Sequence, residues 1–334
     1  MRRVRCAIAL GVVAAGSPAM AQTYGWDGGG GDASYFTDAN WRNDDEPPPT
    51  GTHGVSIKAS NLTGPQQVAD WDGSSSGSCG TLEVVANGTY YMTFRKSGSA
   101  SFSVSSTTTL TGADASHEST LDADAALTLT DLKDESYVTL DVASSVTVDV
   151  NGTLALDATN GYTECEKIGS GTITPDALVV DVGDGTGESS MFVISAGAIN
   201  VTGSDPSTAV YGSHSTDIEG TILLDGGTLD PGDLKLFGGT SSSREAVFAY
   251  ASGTVANADS ITLYGFSRMD IDDDFDSDGD FTVTVAGGDT FASEARIDKA
   301  FTVLVTVPKV VVGHSTYACK LIGSGSGTLT TDAQ

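Results

Sequence analysis

The densest run of chemically capable side chains lies between Met269 and Asp280, which reads MDIDDDFDSDGD. Seven aspartates fall in the eleven residues from Asp270. Asp272, Asp274, Asp276, Asp278 and Asp280 stand at alternate positions, and Gly279 permits a sharp turn. Alternating carboxylates beside a glycine open a calcium loop, because calcium gathers about six to eight hard oxygen ligands. A complete EF-hand would place Glu at the twelfth position from Asp274, where Val285 stands in an apolar run. The expectation is a partial, solenoid- or dockerin-like Ca2+ site with those five aspartates as ligands. The plainer reading of the same run is a solvated acidic turn.

Other fragments point to weaker chemistry. Polyuronate lyases need a basic residue beside a metal-held acid sugar, and Arg244, Arg268, Arg296 and Lys299 are the available bases. Glycoside hydrolases of the β-helix kind resemble Asn-x-Asp, Asp-Asp, Gly-His-Gly and Arg-x-Lys in that order. Asn257 with Asp259, and Asp273 with Asp274, match the first two pieces. His314 follows Arg296 and has Gly313 before it but Ser315 after it, so there is no Gly-His-Gly, and Arg296 to Lys299 is one residue too long. His53, His117, His214 and His314 have no metal-ligand spacing, and no Gly-x-Ser-x-Gly marks a nucleophile. Gly183-Asp184-Gly185-Thr186-Gly187 has no following Lys to hold a phosphate. Residues 28–31, all Gly and followed by Asp32, read as a flexible cap turn. The Asn-Gly pairs at Asn87 and Asn151, formally glycosylation sequons like Asn61 and Asn200, read as turns. No catalytic set converges, so the expectation is a non-enzyme. A β-helix polyuronate lyase or glycoside hydrolase is the alternative. A carbohydrate-binding module would need a row of exposed aromatics, and Tyr90, Tyr91 and Phe94 form the only local cluster.

Strands must carry these residues. Runs at 102–110, 126–132, 137–142, 146–150, 281–285 and 301–307 alternate apolar and polar residues and end in Gly, Asp, Asn or Ser. No convincing helix follows residue 21. A unit of Gly-Thr-apolar, polar turn and apolar strand recurs as GTITPDALVVDVG from Gly171, GTLDPGDLKLFGG from Gly227 and GTVANADSITLYG from Gly253. YTECEKIGSGTITPDA from Tyr162 returns as YACKLIGSGSGTLTTDA from Tyr317. One such unit cannot bury its apolar face alone, whereas stacked copies pair every strand edge. Coils of about 20–25 residues are therefore expected. A tandem of β-sandwiches is the competing all-β architecture.

Composition agrees. Gly, Ser and Thr supply 41, 38 and 40 of the 334 residues, which disfavours helices. The 44 acidic residues are 34 Asp and 10 Glu against 16 basic residues, a net charge of −28. That balance excludes a nucleic-acid footprint. Arg2, Arg3 and Arg5, an apolar stretch at 7–15 and Ala19-Met20-Ala21 read as a signal peptide over 1–21. Its removal leaves 13 basic against 44 acidic residues, or −31. No other apolar run is long enough for a transmembrane span. Cys79, Cys165 and Cys319 remain, allowing at most one disulfide, and read as buried small apolar residues.

The opening stretch resembles the N-terminal caps of large secreted bacterial β-solenoid proteins, both autotransporter-passenger-like and PEP-CTERM-type exported proteins. Trp26, the glycines at 28–31, Asp32, Tyr35, Asn40, Trp41, Pro49, Gly51, Val55 and Ile57 carry the resemblance. His53-Gly54 stands where that group often has Asp. The resemblance implies a right-handed parallel β-helix at the cell surface with a structural or adhesive role. The full expectation is a signal peptide at 1–21, an irregular cap at 22–54 and an all-β solenoid over 55–334, cut short at Gln334. It would be extracellular or held at the cell surface. Its expected partners are divalent cations and either surface polysaccharide or other cell-surface proteins.

Overall fold

The computed structural model describes residues 22–42, 51–157, 162–182, 189–203, 208–212, 219–238 and 245–256. Beyond these it describes the backbone of strands at 260–264, 267–271, 282–285, 293–297, 302–305, 319–323 and 328–331. Among the described residues the helical ones are Asp38–Asn40 and Ala59–Asn61, each a single 3-10 turn, and Arg42. The rest is strand, turn and bend. The signal-peptide expectation lies outside the described residues.

The architecture is a parallel β-solenoid. Three faces are built by pairing each coil with the next. The first face starts with Thr23–Trp26, Gly54–Lys58 and Thr81–Val85. The second runs from Val68–Asp70 and Met92–Lys96 through Ser119–Ala123 and Val138–Val142 to Cys319–Gly323. The third starts with Gly77–Cys79. Phe102–Thr111, Leu127–Asp134 and Thr147–Asp157 each pass from the third face to the first, bending at a register shift. All pairings between the named strands are parallel, which excludes the sandwich alternative, whose hairpins need antiparallel neighbours. Coil length varies more than the repeat suggests: Ser119 pairs with Val138, 19 residues on, and Ser190 with Gly220, 30 residues on.

Alternation along each strand sends one set of side chains inward. On the third face Phe102, Leu127, Val148, Ile173, Ile199, Leu229 and Val255 form one buried column. The other faces contribute similar columns, and together they make one continuous core. Each such side chain contributes about 1.5–3 kcal/mol by burial.

The Gly-Thr unit has a steric cause. Gly171, Gly197, Gly227 and Gly253 stack at the corner between the second and third faces, where Ala198 N–H donates to Gly171 O at 3.1 Å and Thr228 N–H to Gly197 O at 2.8 Å. Gly197 has φ +66°, and a Cβ there would lie 2.2 Å from Gly171 O. Gly253 has φ +112°, and a Cβ there would lie 2.3 Å from Gly227 O. The longer repeat is offset in space: through successive pairings Cys319 falls at the level of Thr163, not of Cys165.

The cap lies between the first two strands. Thr23–Trp26 already pairs with Gly54–Lys58, so 22–54 supplies the first rung as well as the cap. Asn40, fully buried, accepts from Gly30 N–H at 2.8 Å and donates to the Asp32 and Ser34 carbonyls at 3.1 and 3.0 Å. A Cβ on Gly30 would stand 2.5 Å from the Asn40 amide oxygen. Gly28 and Gly30 are buried in this wrap, whereas Gly29 and Gly31 are exposed. Trp26, Trp41, Tyr35 and Trp71 meet in sequence at ring distances of 5.4, 4.7 and 4.6 Å and close the end of the core.

Gly197→Ala is expected to cost about 1–3 kcal/mol from the left-handed backbone alone, with more from the contact with Gly171. Ala198→Thr, which restores the Gly-Thr unit, should leave stability within about 0.5 kcal/mol. Urea unfolding of both variants checks this, and equal effects would remove the corner explanation.

Candidate functional site

Asp272, Asp274, Asp276, Asp278 and Asp280 lie outside the described residues, so the structure does not bear on the calcium set. Their flanks are placed: Ser267–Ile271 belongs to the second face and Thr282–Val285 to the first. Arg244, Asn257, Asp259, Asp273, Lys299 and His314, the pieces of the enzymatic alternative, also lie outside, as do residues 183–187. Backbone register sets Arg268 beside Glu294 and Asp270 beside Arg296 on the second face. Among the described residues no group of three His, Cys, Asp or Glu side chains is arranged to hold a metal ion. No helix among them is long and apolar enough to cross a membrane.

His53 is packed edge-on to Tyr24 at 5.3 Å, and burial lowers its pKa. His117 Nδ1 meets the Asp114 carboxylate at 2.9 Å within one tight turn. The two rings serve different coils and share no site. Asn87 accepts from Thr89 and Tyr90 N–H at 2.9 and 3.0 Å, so its Asn-Gly pair is a turn as expected, whereas Asn151-Gly152 lies inside the strand Thr147–Asp157 at its register shift and is not. Cys79 and Cys165 are buried free thiols, and burial pushes the Cys79 pKa up to about 12. That placement fits structural side chains, not nucleophiles.

The polar groups inside the core are less expected. Asp134 continues the inward alternation of Leu127, Leu129 and Leu132 and sits in a column between Leu110 and Leu156. Both carboxyl oxygens are buried without a geometrically good hydrogen bond, and the Cys165 thiol, a weak donor, faces them. Burial raises the Asp134 pKa to about 7, so the acid is largely neutral in weakly acid solution. Lys167 lies in the second-face column beside Leu140 and Ile194. Its ammonium donates to the Ile168, Gly169 and Ala196 carbonyls at 2.7, 2.8 and 3.2 Å, tying two coils at a corner. Burial lowers its pKa to about 8. Lys96 is buried in the same way and donates to Gly98 O. Continuing the period-two pattern past Leu132 and through Cys165 would have marked Asp134 and Lys167 as inward.

Outside, charge is laid down coil by coil. Asp70, Arg95, Asp122 and Asp141 are successive neighbours on the second face. Arg95 Nε pairs with Asp122 at 2.6 Å and lies 3.8 Å from Asp124. Lys133 bridges Glu135 and Asp157 at 2.9 and 3.1 Å. A cleft of about 460 Å³ lies against the cap, lined by Tyr24, Trp41, Arg42, Ser56, Lys58 and Asn61 among others. Lys58 is paired there with Glu83 at 2.7 Å.

The most distinctive outer cluster lies where the chain turns from the first face into the second. Tyr90 and Tyr91 are 42% and 50% exposed, whereas Phe94 is wholly buried in the core. The aromatic cluster read from sequence is therefore split. Met92 pairs with Ser119, and Ser119 with Val138, and Val138 with Cys165. The residues one position earlier, Tyr91, Glu118, Tyr137 and Glu164, thus follow each other in successive coils. Tyr162 packs beside Tyr137 at 5.7 Å and donates to the Glu164 carboxylate at 2.9 Å. Thr139 donates to Glu118, and Ser195 donates to Glu166 at 2.6 Å. Glu118, Tyr137, Thr139, Glu164 and Glu166 line a cleft of about 30 Å³ with no basic residue on its wall. No single stretch of sequence carries this row, because its members lie a coil apart.

Comparison with protein-family models, with curated proteins and with solved structures gives no match.

Asp134 sets a pH test. Its folded pKa, about 7, stands above the unfolded value, 3.8, so folding takes up a proton between them. The stability this adds is complete below about pH 4, falls as pH rises through 7, and is flat above. Between pH 5 and 8 the loss is roughly 3 kcal/mol. Urea unfolding of wild type and Asp134→Asn at both pH values should show the wild type alone losing it. Parallel pH dependence in the two proteins would contradict the buried, neutral acid.

Proposed function

We propose that this chain is a secreted or cell-surface β-solenoid whose role is structural and adhesive, without catalysis. The observation that supports it is the parallel stack of coils, which lines up outward side chains of successive coils in rows with a rise of about 4.8 Å. Such a lattice suits a rigid stalk and a repetitive partner. The leader-like 1–21, the resemblance of the cap to exported solenoids of the autotransporter-passenger and PEP-CTERM kinds, and the net charge of −28 favour the cell exterior. On this reading divalent cations are taken up on the acidic surface, and the run at 272–280 is the first place to seek Ca2+.

Expressed with its leader in a Gram-negative host, the protein should be recovered outside the inner membrane with Gln22 as its first residue. Recovery in the cytoplasm with Met1 intact would refute export. Calcium at millimolar concentration should raise the melting temperature of the wild type. The triple variant Asp274→Asn, Asp276→Asn, Asp278→Asn should lose that rise. An unchanged wild-type melt with no heat in calorimetry would remove calcium from the proposal.

A further inference from the structure

We propose that the tyrosine and glutamate row at the entry to the second face binds an uncharged polysaccharide, with the sugar chain lying along the solenoid axis. The inference rests on the adhesive reading above and names its ligand class.

Four observations carry it. First, Tyr90 and Tyr91 are large aromatic side chains held at 42% and 50% exposure beside a tight turn fixed by Asn87. Tyrosine has an apolar ring face and a polar tip, which matches the apolar face and hydroxyl rim of a pyranose. Second, register sets the spacing. Tyr91 and Tyr137 are separated by one intervening coil, that of Glu118, so they lie two rises or about 10 Å apart. A disaccharide unit of an extended pyranose chain has a similar length, so alternate sugars would meet alternate coils.

Third, the groups that alternate with the rings along the row are acceptors. Glu118 and Glu164 carry carboxylates, which accept hydrogen bonds from hydroxyl groups. Their orientation is already constrained, because Thr139 donates to Glu118 and Tyr162 to Glu164. Ordering these side chains before binding lowers the entropy lost on association. Fourth, charge selects the ligand. No basic residue lines the cleft among these glutamates, and the whole chain carries −28. Polyuronates, sulfated glycans and nucleic acids would meet repulsion there. A neutral glycan would not.

Affinity electrophoresis of the full chain through gels holding hydroxyethyl cellulose, xyloglucan, dextran or polygalacturonate tests this. At least one uncharged polymer should retard the protein, and polygalacturonate should not. The double variant Tyr90→Ala, Tyr91→Ala and the single variant Tyr137→Ala should each weaken retention about tenfold or more, with an unchanged melting temperature for the exposed pair. Glu118→Gln keeps an acceptor and should retain most of the binding, whereas Glu118→Ala should not. The proposal is overturned if no uncharged polymer retards the wild type, if the tyrosine variants bind equally, or if only polygalacturonate or free calcium is bound. Adhesion of beads coated with the chain to cells is scored separately. Adhesion without polysaccharide retention would sink this inference and leave the adhesive reading standing. Retention without adhesion would do the reverse.

Discussion

Among the described residues, successive coils hydrogen-bond their backbones in parallel, each to the one before and the one after it. That one constraint governs the rest of the molecule. A strand can be accepted only if its inward side chains fit the column already built and its corners clear the carbonyls beneath. The corner at Gly171, Gly197, Gly227 and Gly253 shows the second condition repeatedly, since an added methyl would strike the preceding coil. Thr172, Thr228 and Thr254 follow three of these glycines and Ala198 the fourth, all at half-buried positions. The same constraint makes the cap necessary. The first rung, Thr23–Trp26, would otherwise leave the end of an apolar core open, and Trp26, Trp41, Tyr35 and Trp71 fill it.

Stacking also explains why polar groups are tolerated inside. Among the described residues buried Lys167 and Lys96 have no ion pair; their ammonium groups donate to backbone carbonyls at the corners. The stem fills a core position while the charge satisfies backbone acceptors. Asp134 has no such outlet. It faces a thiol and two aliphatic neighbours, and in weakly acid solution it stays in the core largely as the neutral acid. Outside, the balance is reversed. Arg95 stands among Asp70, Asp122 and Asp124, and Lys133 between Glu135 and Asp157, so scarce cations are spent where stacking would align like charges.

Much of the architecture was readable in particular residues. The alternation at 102–110 and 138–142 marks strands because their inward positions are Phe, Val and Leu, and the structure has strands at Phe102–Thr111 and Val138–Val142. Gly-Thr at 171, 227 and 253 marks the stacked corner, and Asn87-Gly88 marks a turn. Other features were not readable. Nothing local in residues 28–31 shows that Asn40, ten positions on, accepts from Gly30 N–H. Phe94 looks like a neighbour of Tyr90 and Tyr91, yet strand parity turns it into the core. The Tyr162 and Tyr317 segments look equivalent, but the pairing path between them slides by two residues.

By itself the sequence determined the class of fold, because period-two alternation, Gly-rich corners and short repeats admit few structures other than stacked parallel coils. It also determined the acidic charge and the absence of a basic footprint, which are sums over residues and need no coordinates. Only the tertiary structure decided which residues share a surface. Tyr91, Glu118, Tyr137 and Glu164 are 19 to 27 residues apart along the chain and one coil apart in space. Coil lengths vary through the turns, so no fixed period in sequence reveals that row. The register that creates it is set by hydrogen bonds between coils, an interaction that no local pattern encodes.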